Sequence, residues 1–310
     1  MRKIIGLIRK YFKEDFSFGY FLVVACFTAL ITWINYKFNW ETTYISYEPD
    51  PSLRLLRYCL MYFIAFGGSY ALYAFSRQGR QTIGSAKLWA LIIFSVFLFS
   101  FRSWFYQYQY VTEALVSPAY RLVVNKYFMN LEGLIWLFIP CGIYWWIVDQ
   151  KDQPIYGFHA KGVAFKPYFF LLVLMLPLLL WASTQSDFLA MYPRAFHLGL
   201  VDGAPGTTLL TILYEFCYAA DFVTTEFFFR GFLVLAFAKL AGPRSILPMC
   251  VFYVAIHFEK PLGEAVSSFF GGWLLGIIAY ETKSIYGGII VHLGIALMME
   301  VIAYAAHTLI

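Results

Sequence analysis

The sequence predicts an all-α membrane protein, a polytopic bundle of transmembrane helices. Hydrophobic residues make up 61% of the 310 residues and charged residues 13%, whereas an ordinary soluble domain has about 45–50% apolar and about 25% charged residues. Apolar stretches recur along the whole chain, and about 20 consecutive apolar residues cross the hydrocarbon core. Trp and Tyr favour the headgroup level, which agrees with the 21% aromatic content. One membrane-embedded bundle is therefore expected instead of two soluble domains.

The expected bundle has eight or nine spans. Residues 1–17 alternate basic and apolar side chains with a helical period, which predicts an amphipathic interfacial helix on the cytoplasmic side. The apolar stretch near 18–36 is long enough to span and no small-residue cleavage site follows it, so we expect it to remain as the first anchor. Further candidate spans fall near 56–75, 88–102, 131–148, 168–184, 208–226, 245–258, 265–281 and 285–305.

The charges between these stretches predict an orientation with the N-terminus in the cytoplasm. The segments placed inside by this topology hold basic residues, namely Arg77, Arg80, Lys87, Lys151, Lys161, Lys166, Arg230, Lys239 and Arg244. The basic segment 103–130 disagrees with it. The polar stretch 149–167 contains two prolines and two glycines, so it separates a four-span N-terminal bundle, 18–150, from a C-terminal core, 151–310. An integral protein of the bacterial inner membrane is the expected location.

Several classes of protein are disfavoured by the same composition. The net charge of +5 is spread over short segments with no dense basic patch, so a nucleic-acid partner is not expected. The five cysteines lie in or beside apolar stretches without metal-ligand spacing, which is typical of small core residues. No internal repeat is evident, which disfavours a transporter built from inverted repeats. The bilayer is the expected partner.

Ionisable residues inside the apolar stretches indicate a functional site, because each costs at least ~2.5–3.5 kcal/mol at mid-membrane. The second half of the chain holds six of them: Glu215, Asp221, Glu226, Arg230, His257 and His292. On a helix Glu226 and Arg230 share a face four residues apart and are able to form an ion pair. Such a pair is as easily structural as catalytic.

The histidines extend this pattern toward a metal. His292 lies well inside the last apolar stretch, where an imidazole needs a partner, and His257 lies at a helix end. Two histidines and a carboxylate on separate helices match the three protein ligands of a catalytic zinc site, in which a neighbouring carboxylate accepts the proton from metal-activated water. We therefore predict a divalent metal, zinc if the protein is an active enzyme, held by Glu226, His257 and His292. The ligands are scattered, so their spacing alone is a weak signal.

Three short segments carry a family resemblance. TEFFFRGFL, YVAIH about 30 residues later and HLGIA after a further ~35 resemble, in order, the Glu-Glu-x-x-x-Arg, Phe-x-x-x-His and His-x-x-x-Asn motifs of the CPBP family. This family contains the CAAX prenyl endopeptidases and the bacteriocin-processing or abortive-infection-like membrane proteins. The resemblance covers roughly 160–310 and implies an intramembrane metalloprotease core. It assigns family positions to Glu226, Arg230, His257 and His292.

This sequence departs from the family motifs at three positions. Thr225 stands where the family has its water-activating Glu, Ala296 where it has the oxyanion-stabilising Asn, and Tyr253 where it has Phe. Asp221 lies one turn before Thr225 on the same helical face, so it is a substitute candidate for the base, and Glu215 returns to the face of Glu226.

Two interpretations of function stay open. One is metal-dependent peptide hydrolysis in the membrane with an altered catalytic set. The other is a degenerate pseudoprotease that binds a membrane-associated peptide, a protein substrate or a partner subunit.

Overall fold

The computed structural model describes residues 2–75, 77–160, 163–200 and 206–309, and all regular structure in these ranges is helical. Lys161 and Gly162 of the polar boundary stretch lie outside the described residues. The α-helices are α1 Arg2–Glu14, α2 Phe18–Phe38, α3 Pro51–Leu72, α4 Arg77–Ile83, α5 Ala86–Trp104, α6 Tyr108–Leu115, α7 Arg121–Gly133, α8 Ile139–Tyr144, α9 Lys166–Ala182, α10 Ser186–Met191, α11 Thr207–Glu226, α12 Ala238–Ala241, α13 Ile246–Ala255, α14 Leu262–Thr282 and α15 Tyr286–Leu309. Wider π-helical turns cover Glu41–Ser46, Leu134–Phe138, Trp145–Asp149 and Phe227–Ala236. Tighter 3₁₀ turns cover Tyr73–Phe75, Pro118–Tyr120, Ile155–Gly157, Arg194–Leu198 and Gly242–Ser245.

Seven helical stretches within these ranges are long and apolar enough to span a membrane. The number rises to eight if the pair Lys166–Ala182 and Ser186–Leu198, bent by 99°, is one broken span. The all-α transmembrane bundle predicted from composition is thus confirmed. Seven spans are counted against nine apolar stretches for two reasons. The stretches near 208–226 and 245–258 belong to one continuous run, Thr207–Ala255, and the stretch near 168–184 is the first helix of the bent pair.

That run is a hairpin and not a straight rod. Gly242 has φ +56° and ψ −140°, a conformation that glycine adopts without a steric penalty. On either side of it the two arms pack face to face, since the rings of Phe229 and Phe252 lie 5.5 Å apart. The first arm runs from Thr207 to Ala241 through α11, the π segment and α12. Glu226 therefore lies near the middle of a long helix, as a shared site with the histidines requires.

The π segment is the most deeply buried part of the chain. Residues 227–236 are apolar on all sides except for Arg230, and all ten are buried. A helix that is apolar all round belongs in a protein interior. Its backbone approaches the short turn before α9 so closely that a Cβ on Gly231 would lie 2.7 Å from the carbonyl oxygen of Tyr156. π-helical turns are rare and are frequent at functional sites.

The second arm, α13, is too short to cross a bilayer. Its ten residues rise about 15 Å, half of the hydrocarbon thickness. Helix α14 packs along it through small residues, since a Cβ on Gly276 would lie 2.9 Å from the side chain of Met249. This close packing is typical of membrane helices. The turn after Ala255, which carries His257, therefore begins partway through the bundle instead of at its surface.

The N-terminal helices pack directly on this core. Phe66 of α3 lies 5.4 Å from Phe252, and Phe99 of α5 lies 5.6 Å from Phe228. Helix α1 docks on α14, where Lys10 forms an ion pair with Glu281 at 2.8 Å. The helix predicted over 1–17 is therefore present as Arg2–Glu14. Its place at a membrane surface stays a prediction.

Candidate functional site

The centre of the candidate site is a buried ion pair on one helix. Arg230 Nη1 lies 2.9 Å from Glu226 Oε1, and the two side chains are 1% and 0% exposed. The four-residue spacing predicted this contact, and the structure brings it about inside the apolar π segment. An ionised carboxylate and a guanidinium persist at such a place only because they neutralise each other.

His292 joins this pair from α15. Its Nδ1 atom lies 2.9 Å from Glu226 Oε1, so the structure brings together Glu226, Arg230 and His292. The other carboxylate oxygen, Oε2, faces α15 one turn earlier, where a Cβ on Gly288 would lie only 2.0 Å away. Oε2 has no hydrogen-bond partner among the described residues. The glycine thus makes room for the carboxylate and leaves little space beside it.

Tyr253 of α13 completes the chain of contacts. Its hydroxyl lies 2.9 Å from His292 Nε2, and the Arg230 guanidinium carbon lies 4.1 Å from the centre of its ring, a cation–π distance. Paired with Arg230, Glu226 is an ionised acceptor, so Nδ1 of His292 must donate to it. The remaining nitrogen of His292, Nε2, lies within hydrogen-bond distance of the Tyr253 hydroxyl. Each side chain of the series Arg230, Glu226, His292, Tyr253 thus contacts the next, although Glu226 Oε2 and Arg230 Nε have no hydrogen-bond partner among the described residues.

His257 lies on the far side of Tyr253, in the turn that follows α13. Its Nδ1 lies 2.6 Å from the backbone carbonyl of Tyr253, and its ring centre is 4.7 Å from that of Tyr253. A carbonyl oxygen only accepts, so Nδ1 of His257 donates to it.

These side chains do not fit a shared metal ion as they are placed. Throughout the described ranges, no three His, Cys, Asp or Glu side chains converge closely enough to hold one. Both ring nitrogens of His292 are taken by protein groups, and Tyr253 contacts both imidazoles, with ring centres 4.7 and 5.9 Å away. The divalent metal ligated by Glu226, His257 and His292 stays a prediction.

Asp221 is engaged elsewhere. Arg102 Nη2 of α5 lies 2.5 Å from its carboxylate, and the same guanidinium is 4.0 Å from Glu132 of α7. Asp221 thus joins the N-terminal bundle to α11 and forms no contact with Glu226. The sequence pattern missed this pairing because Arg102 ends an apolar stretch and resembles a loop cation.

Thr225 and Ala296, the two positions that depart from the family motifs, are both buried, with 7% and 4% exposure. Ala296 packs in an apolar cluster with Tyr214 and Tyr218. Glu215 is half-buried, and its Oε2 atom finds no partner in the described part of the chain. None of these three residues supplies a donor to His292. The sequence did contain a signal for Tyr253, because it adds a hydroxyl group where the family motif has Phe, four residues before His257.

Comparison with known families gives a match over residues 204–298 to the family model described as Type II CAAX prenyl endopeptidase Rce1-like. A comparison with curated proteins found no match, and a comparison with solved structures found none. The matched region contains α11 to α14 and the site residues from Glu226 to His292, whereas the first four predicted spans precede it. Residues 204–298 are therefore similar to a CAAX-protease-like family, within a chain that carries seven candidate membrane spans in its described ranges.

Proposed function

We propose that this protein keeps the CAAX-protease-like fold as a pseudoprotease, which binds a membrane-associated peptide or a partner subunit without cleaving it. The observation that carries the proposal is the series Arg230, Glu226, His292 and Tyr253, in which each side chain contacts the next. Both ring nitrogens of His292 and one oxygen of Glu226 are engaged within this series. The other oxygen of Glu226, Oε2, has no hydrogen-bond partner among the described residues, but it faces the backbone of α15 at Gly288, which leaves little space beside it for water or a peptide.

Peptide hydrolysis needs a base that takes the proton of water and a donor for the oxyanion, and each contributes roughly 10²–10⁴-fold. Glu226 is neutralised by Arg230 and packed against Gly288. Thr225 stands where the family has its base and is not basic at neutral pH, and Ala296 has no donor for an oxyanion. The contacts therefore favour binding over cleavage.

The second candidate function is peptide hydrolysis within the membrane with an altered catalytic set. It is favoured by the contact of 2.9 Å between Glu226 and His292, since a carboxylate beside an imidazole is a combination suited to proton transfer. In this alternative the Tyr253 hydroxyl would have to leave His292 when a peptide binds.

A reconstituted assay separates the two candidates. The probe is a fluorescent farnesylated peptide ending in a CAAX sequence, added to vesicles that contain the full chain, Glu226→Gln or His292→Ala. We expect saturable binding to the wild type and no release of fragments above the rate of empty vesicles. Cleavage by the wild type that is lost in both variants would establish the hydrolase instead. Absence of saturable binding would reject a peptide of this class as the ligand.

A further inference from the structure

A groove runs along the outside of the bundle between α2 and α14. It encloses a cavity of about 550 Å³. Ala25 and Ala29, one turn apart on α2, form part of its floor opposite Ala265 of α14, and their small side chains leave the depression between the two helices. Both helices are membrane spans, so the groove opens at the depth of the lipid tails.

One end of the groove is closed by aromatic rings and the other end is open and polar. At the closed end Phe21 stacks on Trp273 at 4.7 Å between ring centres and lies 6.2 Å from Phe269. At the open end lie Trp33 and Lys37, the latter the penultimate residue of the span. Aromatic and basic residues at the end of a span mark the headgroup level. The groove therefore begins among lipid headgroups and ends among tails.

Lys37 is available to a ligand at that end. Its side chain is exposed, and within the described chain it forms no ion pair. Beside it, the hydroxyl of Tyr36 donates to the carbonyl of Lys260 at 2.6 Å, which fixes the wall of the groove. An exposed ammonium group above an apolar channel is complementary to a molecule with an anionic head and a long apolar tail.

The interior chemistry of the groove excludes an extended peptide. The hydroxyl of Thr28 donates to the carbonyl of Val24 on its own helix at 2.8 Å, and the rest of the wall at that depth is almost entirely apolar. A peptide lying there would place backbone N–H and C=O groups where they find no partner, at a cost of several kcal/mol each. A hydrocarbon chain has no such requirement.

We propose that this groove is a binding site for one anionic phospholipid, whose acyl chain lies between α2 and α14 and whose phosphate contacts Lys37. The site is formed partly by α2, which lies outside the matched family region. It does not depend on whether the Glu226 centre binds or cleaves peptides. Lipid attachment at this position holds α2 against the core helices.

Native mass spectrometry of the full chain tests the site, after removal of bound lipid and addition of either dioleoyl phosphatidylglycerol or dioleoyl phosphatidylcholine. We expect one retained phosphatidylglycerol and at least several-fold weaker retention of phosphatidylcholine. Ala29→Phe fills the groove and should abolish retention of both lipids. Lys37→Gln should still bind the acyl chain of either lipid but should lose the preference for phosphatidylglycerol over phosphatidylcholine.

Two variants serve as matched controls. Ala305→Phe adds the same ring at an exposed position of α15, and Lys13→Gln removes an exposed lysine of α1; both should retain phosphatidylglycerol like the wild type. Thermal unfolding in detergent shows whether Ala29→Phe is folded. Equal retention by Ala29→Phe and Ala305→Phe, or an unchanged headgroup preference in Lys37→Gln, would overturn the proposal. If Ala29→Phe unfolds, the smaller Ala29→Leu takes its place with the same expected loss.

Discussion

The hydroxyl of Tyr253 lies 2.9 Å from Nε2 of His292, and this contact completes the polar series at the centre of the bundle. Tyr253 is on α13 and His292 on α15, so the bond also joins the end of the short helix to the last span. With Nδ1 directed to Glu226, His292 has no nitrogen left for a metal or for water. The Tyr253 hydroxyl thus occupies the nitrogen of His292 that faces away from Glu226.

Removal of this hydroxyl should change the state of His292. In Tyr253→Phe we expect Nε2 to lose its hydrogen-bond partner, and ¹⁵N chemical shifts of labelled histidine should report the change. Loss of one hydrogen bond should lower the free energy of unfolding by about 1 kcal/mol. Tyr304→Phe, at an exposed ring on α15, is the control and should alter neither quantity. Identical ¹⁵N spectra for Tyr253→Phe and the wild type would contradict the assigned contact.

Replacing one member of the Glu226–Arg230 pair should destabilise the protein more than replacing both members. Arg230→Met leaves the Glu226 carboxylate buried without its counter-charge, which should cost about 3–5 kcal/mol. The double variant Glu226→Leu, Arg230→Met removes both charges and should be more stable than the single variant. Thermal unfolding in detergent, followed through the reactivity of buried Cys141 and Cys250, measures the difference. A double variant that is less stable than Arg230→Met would contradict the ion-pair assignment.

Composition and apolar length were sufficient to predict the transmembrane bundle, because burial in lipid imposes long apolar helices on any sequence. The course of the chain through the hairpin was harder to predict from the sequence. Two apolar stretches on either side of Gly242 resemble two full spans, and only the packed structure shows that α13 rises halfway. A shared metal site would require Glu226 and His257 to lie at the same depth in the membrane. The sequence did not indicate how the chain brings them there.

The site was predictable where contacts follow helical spacing and unpredictable where they join distant segments. Glu226 and Arg230 are four residues apart, so their pairing follows from geometry. Asp221 was assigned by the same rule to the face of Thr225, yet its partner is Arg102, 119 residues away. Spacing along one helix gives no information about which neighbouring helix brings a counter-charge. The role of Tyr253 likewise depends on where α15 packs.

The Arg102–Asp221 contact predicts coupling between the two halves of the chain. Arg102→Met leaves Asp221 and the neighbouring Glu132 without a cation inside the bundle. We expect a loss of about 1–3 kcal/mol in the free energy of unfolding, since the pair is only partly buried, with side chains 13% and 24% exposed, and one charged hydrogen-bond partner is removed. Asp221→Asn combined with Arg102→Met should restore part of it. If the single variant unfolds like the wild type, Arg102 has no structural role at this interface.

Glu41 predicts a pH dependence of stability. It lies between α2 and α3, outside the spans, with 5% exposure. Burial raises its pKa well above the usual value of 4.5, and Glu259 adds to the rise. The folded state holds the proton that the unfolded state releases above pH 4.5, so this stabilisation is present below that pH and is lost as pH rises toward the raised pKa.

Glu41→Gln should therefore be more stable than the wild type at pH 8 and equally stable at pH 4. Thermal midpoints at the two pH values measure the effect. Glu14→Gln, at an exposed position on α1, is the control. A difference between Glu41→Gln and the wild type that is the same at both pH values would show that Glu41 is ionised in the folded protein.

Gly288 gives the sharpest steric prediction at the site. A Cβ there would lie 2.0 Å from Glu226 Oε2, a separation that no real pair of atoms tolerates, and the carboxylate is held on its other side by Arg230 and His292. In Gly288→Ala the clash must displace either α15 or the carboxylate, so we expect a destabilisation of about 1–3 kcal/mol.

Gly271→Ala is the matched control for this variant, because Gly271 is also in a membrane span and a Cβ there meets nothing within 4 Å. Alanine is favoured over glycine in a helix interior by about 0.5–1 kcal/mol, so this control should be as stable as the wild type or more stable. Gly288→Ala should also alter the ¹⁵N signals of His292, since displacement of Glu226 moves the acceptor of Nδ1–H. If both glycine variants behave alike, the carboxylate does not occupy the space beside α15, and the series at the centre of the bundle is wrong.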